Sequence, residues 1–410
     1  MRAGVGKFTV LCVEFDPFHN LRDILGYGPM NQLLAEVSRR LRQQLRSEET
    51  LIEPVGCNQI AVLLGGGPDV DQFLGLATAL QQALVGPYRV GAEEVRLASR
   101  IGLAIFPEHG GNACDLLQRA EWAMREAKPG DRRTVAVFDS ERHAAAIDRI
   151  RMQNALVHAI ERRELELLYQ PVVNMQGKMD GVEALVTWRH PERGLLPAGQ
   201  FIPIAEETDL ICDIGSWVLE QACLAGEGWR KAGIGTICVS VNVSARQFER
   251  DDFVDTISAV LALSGFPARF LELELTERSV MRELEHSAER LRRICDLGVS
   301  IAIDDFGTGY SSLSYLHQLP VDTVKIDQSF LRGIAQVDGS LPVVQGIVRL
   351  AHGMGLGVVA EGVETNEELE LIRVLGCDMA QGHLFGRPLR IDEVGPLFVS
   401  QKAAFAATGQ

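Results

Sequence analysis

Beyond Leu165 this chain repeats one unit, a short run of β-branched and aliphatic residues followed by a helix-like segment, for about 240 residues to its end. That length is close to the roughly 250 residues of a closed β/α barrel. Apolar runs of about four to eight residues, spaced by helical segments, predict buried parallel strands joined by helices. In such barrels the reactive groups come from the C-terminal ends of different strands. Polar residues stand at those ends here. Glu183 closes the run Met179 to Val182, Asn242 follows Ile237 to Val241, and Glu274 lies in Phe270 to Leu275. Asp304 and Asp305 follow Val299 to Ile303, Lys325 lies in Thr323 to Ile326, and Glu361 follows Gly357 to Ala360. A lone Asp or Glu in such a place reads as a helix N-cap. Five carboxylates, an amide and a lysine on consecutive units read instead as a metal site at a barrel mouth.

At 410 residues the chain should hold two domains, because single cores seldom grow past about 250 to 300 residues. With 46% hydrophobic and 23% charged residues it reads as a soluble globular protein. No apolar run approaches the roughly 18 residues of a membrane span, and no signal peptide precedes the first strand-like run, so a cytoplasmic location is expected. A net charge of −15 disfavours binding to nucleic-acid polymers, which needs basic surface to displace counterions. The eight cysteines are scattered without zinc-type spacing and read as buried free thiols. There is no Walker A loop, no H-E-x-x-H and no nucleophile elbow.

The expected fold class is α/β, a (β/α)8 TIM-like barrel preceded by a smaller α+β domain. Residues 1–140 alternate strand-like runs (Phe8 to Glu14, Gln59 to Leu64, Val95 to Ile105, Thr134 to Phe138) with helical segments at Met30 to Arg46, Val70 to Leu84 and Ala113 to Ala127. Residues 141–163, rich in Ala, Arg, Glu and Ile, predict a connecting helix, and 164–405 the barrel.

Several strings carry a family resemblance. Glu183-Ala184-Leu185, Asn242-Val243-Ser244, Glu274-Leu275-Thr276-Glu277, Asp304-Asp305-Phe306-Gly307-Thr308-Gly309, Lys325-Ile326-Asp327, Glu361-Gly362-Val363-Glu364 and Gln381-Gly382 together resemble the EAL domain of cyclic di-GMP phosphodiesterases. The likeness runs in order over the whole second half. It implies hydrolysis of one 3′,5′-phosphodiester of cyclic di-GMP to linear pGpG. By that resemblance Glu183, Asn242, Glu274 and Asp304 hold one divalent ion and Asp305 the second, with Glu361 and Gln381 completing the metal and water shell. Hard oxygen ligands of this kind suit Mg2+ or Mn2+, two ions per site. Lys325 matches the lysine that orients or deprotonates the attacking water, beside Glu183 and Glu361 as further catalytic residues. Glu277 matches the anchor of the loop after Asp305, and Gln170, Leu185 and Gln381 match substrate contacts. The family also implies a homodimer through the EAL domain.

One position departs from the pattern. The family usually carries arginine two residues after Glu-Ala-Leu, gripping a substrate phosphate, and here it is Thr187. Arg189 shares the strand parity of Glu183, Leu185 and Thr187 and is expected to substitute in part. A receptor that binds cyclic di-GMP without cleaving it is the competing expectation.

The N-terminal half resembles a GGDEF (diguanylate cyclase) domain, but a degenerate one. Where Gly-Gly-Asp-Glu-Phe belongs, the chain has Gly56-Cys57-Asn58-Gln59-Ile60, both acids replaced by amides. Arg22 and Asn31 stand at the guanine-holding positions, Glu14 stands for a metal-binding Asp, Lys128 is retained, and the nearest string to a feedback site, Arg46-x-x-Glu49, has the wrong spacing. No cyclase activity is expected, only a regulatory or structural role.

Overall fold

The computed structural model describes residues 7–16, 27–45, 50–56, 58–65, 70–90, 93–127, 134–307, 316–332 and 341–408. Arg22, Arg46, Glu49, Cys57, Lys128 and the loop residues Thr308 and Gly309 lie outside them. The chain divides into two compact units, Met1–Arg149 and Ile150–Gln410.

In the first unit the strands are β1 (Phe8–Asp16), β2 (Thr50–Pro54), β3 (Gln59–Gly65), a small ribbon of β4 (Pro87–Val90) and β5 (Glu93–Arg96), β6 (Ala98–Phe106) and β7 (Val135–Val137). The main sheet has the order β2-β3-β1-β6-β7, with β1 antiparallel to both neighbours. Alternation along β1 feeds two cores. Leu11, Val13 and Phe15 pack with the helices Tyr27–Gln44 and Val70–Leu84, whereas Val10 and Cys12 pack under the helix Ala113–Glu126. The run expected from Val95 to Ile105 is two strands broken at Leu97, and β2 and β4 had no counterpart in the sequence reading. The connecting helix spans Ser140–Leu156 rather than continuing to Arg163. Its end is closed by turns, with Arg163 at φ 57° and the Glu164 amide donating to Ala159 O at 2.9 Å.

The second unit holds β8 (Leu165–Asn174), β9 (Met179–His190), β10 (Gly194–Pro197), β11 (Cys238–Val243), β12 (Leu271–Thr276), β13 (Ser300–Phe306), β14 (Thr323–Ile326), β15 (Gly357–Ala360) and β16 (Met379–Gln381). Neighbours run β9-β11-β12-β13-β14-β15-β16-β8, and β8 pairs back to β9, so these strands close a barrel with helices around it. From β9 through β16 the ladders are parallel, as the repeat predicted.

Two features differ from an all-parallel barrel with each polar residue at a strand end. First, β8 is antiparallel to both β9 and β16. Only Met175 to Lys178 separates it from β9, far short of the dozen residues a parallel crossover needs. Gly177 at φ 80° and the Asn174 side chain, accepting from the amides of Gln176 and Lys178, close that hairpin. Second, β9 continues past Glu183 to His190, carried on by antiparallel pairing with β8 on one side and β10 on the other.

Along β12 the apolar residues Leu271, Leu273 and Leu275 belong to the hydrophobic core. The alternate residues Glu272 and Glu274 bond to side chains of β14, which is not a ladder neighbour of β12, so these bonds cross the barrel lumen. No described helix is long and apolar enough to cross a membrane. The cysteines of the described residues are free; Cys12, Cys212, Cys223 and Cys377 are buried and Cys114 is exposed.

Candidate metal centre

Lys325, 2% exposed, projects from β14 into the lumen and gathers carboxylates from four other strands or strand ends. Its Nζ lies 2.6 Å from Glu361 Oε1, 2.7 Å from Glu274 Oε2, 3.6 Å from Glu183 Oε2 and 3.9 Å from Asp304 Oδ1. Amides complete the shell around Glu183. Asn242 Nδ2 donates to its Oε1 and Gln381 Nε2 to its Oε2, each at 2.5 Å, and Gln381 Nε2 also reaches Gln170 Oε1 at 3.0 Å. Eight residues singled out in the sequence, spread from Gln170 to Gln381, therefore meet at one place.

The charge balance of this place is lopsided. Four carboxylates face one ammonium, and like charges this close cannot all ionise without a counter-charge. Burial and the neighbouring Glu183 push the Glu274 carboxyl well above its ordinary range, only partly offset by Lys325. Burial likewise lifts Glu361 to about 7, against the pull of Lys325. Burial would lift Glu183 as well, but Lys325 and the hydrogen bonds from Gln381 and Asn242 hold it below the usual value. Burial opposes the charged form of Lys325, yet the carboxylates around it keep it an ammonium, well above its ordinary value.

These residues fit a hard divalent cation. Glu274 Oε1 and Gln381 Oε1 are buried with no hydrogen-bond partner among the described residues, a costly arrangement unless another positive group satisfies them. The donors are almost wholly oxygen, the type Mg2+ and Mn2+ take. As they stand, no three Asp, Glu, His or Cys side chains among the described residues form a ready cation cage, because the carboxylates turn onto Lys325 instead.

The adjacent aspartates pose a geometric problem, since neighbours on a strand point to opposite faces. The chain solves it with an irregularity: the β13–β14 register shifts between Ile303 and Phe306, and Asp305 takes a left-handed conformation at φ 53°. Asp304 approaches Lys325, while Asp305 and Asn242 lie on the wall of one cavity of about 1510 Å3, with Leu185 and Glu277. Burial and the Asp304 charge raise the Asp305 carboxyl. Glu277 is 6% exposed and accepts from the Gly307 amide at 3.4 Å, at the start of the loop after Asp305.

Arg189 is placed elsewhere. It lies six residues past Glu183, about 20 Å along a strand, and its Nη2 donates to Glu166 Oε2 at 2.6 Å. Thr187 is buried, with its hydroxyl donating to the Glu166 carbonyl. One residue escaped the sequence reading: Glu272 accepts from Ser240 Oγ at 2.8 Å and Thr323 Oγ1 at 3.2 Å, one layer below Glu274. Burial raises its carboxyl. Its spacing of two from Glu274 was the available signal.

In the first unit, Gln59 Nε2 donates to Glu14 Oε1 at 3.1 Å, and Arg100 forms an ion pair with the other Glu14 oxygen. The Phe15 amide donates to Asn58 O at 3.1 Å. Asn31 is exposed on the helix Tyr27–Gln44.

The closed barrel and the converging polar cluster accord with comparison to known families. The family described as "EAL domain" matches residues 153–388, and "Diguanylate cyclase, GGDEF domain" matches residues 3–134. The chain belongs to the EAL-domain family, with a GGDEF domain ahead of the barrel. It is similar to the bifunctional diguanylate cyclase/cyclic di-GMP phosphodiesterase MucR of Pseudomonas aeruginosa, 38% identical over 389 residues, which is 95% of this chain and 56% of MucR. It is also similar to the cyclic di-GMP phosphodiesterase NbdA of the same organism, 35% identical over 382 residues, covering 93% of this chain and 48% of NbdA. The chain thus spans about half the length of these relatives. Among solved structures, the PaMucR phosphodiesterase in complex with c-di-GMP is 42% identical with a TM-score of 0.58, covering 60% of this chain and 99% of that one. The EAL enzyme Bd1971 in its cAMP-bound form is 28% identical with a TM-score of 0.59, covering 85% of this chain and 92% of that one.

Proposed function

We infer that this chain is a cyclic di-GMP phosphodiesterase: the barrel hydrolyses one phosphodiester of cyclic di-GMP to linear pGpG, and the GGDEF domain has lost cyclase activity and serves a regulatory or structural role. The observation that carries the reading is the convergence of Glu183, Glu274, Asp304 and Glu361 on Lys325, with buried oxygens of Glu274 and Gln381 unsatisfied among the described residues. Glu183, Asn242, Glu274, Asp304, Asp305 and Glu361 would hold the cations. Two Mg2+ or Mn2+ ions, when bound, supply Lewis acidity to the phosphate and lower the pKa of a water. The chain's own groups do the rest. The Lys325 ammonium is a fixed donor for an anionic oxygen, held in place by carboxylates it must share. Gln381 and Gln170 form a linked amide pair that fixes the Glu183 carboxylate on one side, as Asn242 does on the other. The cavity beside them has room for a dinucleotide. Water adds to phosphorus, the bond to the 3′ oxygen breaks, and that oxygen leaves with a proton.

The loss of cyclase activity is supported by Glu14, whose charge Arg100 already neutralises and whose other oxygen Gln59 occupies. We further propose a cytoplasmic location and, following from the family likeness, a homodimer through the EAL domain. Incubating the chain with cyclic di-GMP and Mn2+ and following pGpG by chromatography tests the reading. Linear product that disappears in Glu183→Ala supports it. Saturable binding without product would make the chain a receptor, and cyclic di-GMP made from GTP would overturn the reading of the first domain.

A further inference from the structure

The lining of the cavity beside the cluster, which includes Leu185, Asn242 and Asp305, also holds two arginines, Arg278 and Arg282. A cyclic dinucleotide brings two phosphodiester anions into a mouth already rich in carboxylates, so a cation outside the buried Lys325 cluster is needed to hold it. Arg282 is engaged, its Nη1 donating to Glu249 Oε1 at 3.1 Å. Arg189 is engaged by Glu166, and neither it nor Thr187 lines this cavity. Arg278 is exposed and has no hydrogen-bond or ion-pair partner among the described residues. Its backbone is well fixed: it follows Glu277 directly at the end of β12, and Glu277 is buried and bonded to Gly307. A rigid base beside the cluster with an unpaired fork at its tip suits recognition of a phosphate, which a guanidinium can meet with two parallel donors.

We propose that Arg278 grips a phosphate of the bound cyclic dinucleotide. This rests on the phosphodiesterase reading and assigns the cation that Thr187 cannot supply. Arg278 is then a binding residue with no part in bond cleavage, so its removal acts on KM.

The test is steady-state hydrolysis of cyclic di-GMP with Mn2+ by wild type, Arg278→Ala and Arg278→Lys, with thermal melting of each. Arg278→Ala is expected to raise KM about tenfold or more while kcat stays within about threefold, the pattern of a lost charge-assisted contact. Arg278→Lys recovers part of the loss, and the wild-type KM rises more steeply with salt than that of Arg278→Ala. A wild-type KM in Arg278→Ala overturns the proposal while leaving the phosphodiesterase reading intact. If wild type binds the dinucleotide without cleaving it, that reading fails, and an equilibrium Kd unchanged by Arg278→Ala overturns the proposal too. Wild-type protein that neither cleaves nor binds removes both.

Discussion

Asp305 holds a backbone conformation that few residues other than glycine adopt readily, at φ 53° next to a register shift in β13. Strained positions of this kind persist only where the surroundings over-determine them, and here the strain lets two consecutive aspartates serve one mouth. Asn tolerates the same conformation nearly as well as Asp. Asp305→Asn is therefore expected to leave the unfolding free energy within about 0.5 kcal/mol while lowering turnover about a hundredfold or more through the lost negative charge. Chemical denaturation beside the pGpG assay checks both halves. Glu361 makes a second prediction with a definite sign. Its carboxyl rises from 4.5 to about 7 on folding because it is buried. Between those values the folded state holds the extra proton, so the metal-free protein must lose stability as pH rises through that window, by on the order of 1–3 kcal/mol. Urea unfolding in EDTA at pH 5 and pH 7.5 measures it; Glu361→Gln should reduce the difference, and an identical difference in that variant would reject this origin.

Glu361 reaches Lys325 from the end of β15 because the next residue turns the chain sharply. Gly362 is left-handed at φ 68°, and a Cβ there would collide with Cβ of Gln328. The segment it starts is tied to the end of β16, with the Val363 amide donating to Gln381 O at 3.0 Å. Gly362→Ala combines about 1–2 kcal/mol of backbone strain with overlap costing roughly 1–3 kcal/mol. A loss of about 2–5 kcal/mol in unfolding free energy, with reduced turnover, is the expected result. At this level the sequence was a good guide to β11 through β15, because their apolar runs are short, β-branched or aliphatic, and separated by helical segments. Strand direction was not legible for β8: periodicity is the same in parallel and antiparallel strands, and only the brevity of the link to β9 separates them. The overrun of β9 past Glu183 was hidden for a related reason, since its partners β8 and β10 are set by pairing and leave no mark in β9 itself. Among site residues, those in familiar strings were legible, while Glu272 and the turn at Asp305 were not, the first being taken for part of a strand and the second depending on a register shift that spacing does not encode.

At the scale of the chain, the two units contrast in how they treat their shielded acids. The first neutralises Glu14 with Arg100 and Gln59, leaving little negative field for a cation. The second crowds Glu183, Glu274, Asp304 and Glu361 around a single lysine and leaves Glu274 Oε1 without a partner among the described residues. Such excess charge destabilises the metal-free barrel and favours any divalent ion that binds the folded form, an effect worth about 2.7 kcal/mol when the ion is at a hundred times its Kd. Direct sight of that ion is the sharpest test. Crystals soaked in Mn2+ and measured for anomalous scattering should show two peaks among Glu183, Asn242, Glu274, Asp304, Asp305 and Glu361, with the carboxylates drawn away from Lys325. An anomalous map empty at the barrel mouth, with Glu274 and Glu361 still bonded to Lys325, would contradict the account.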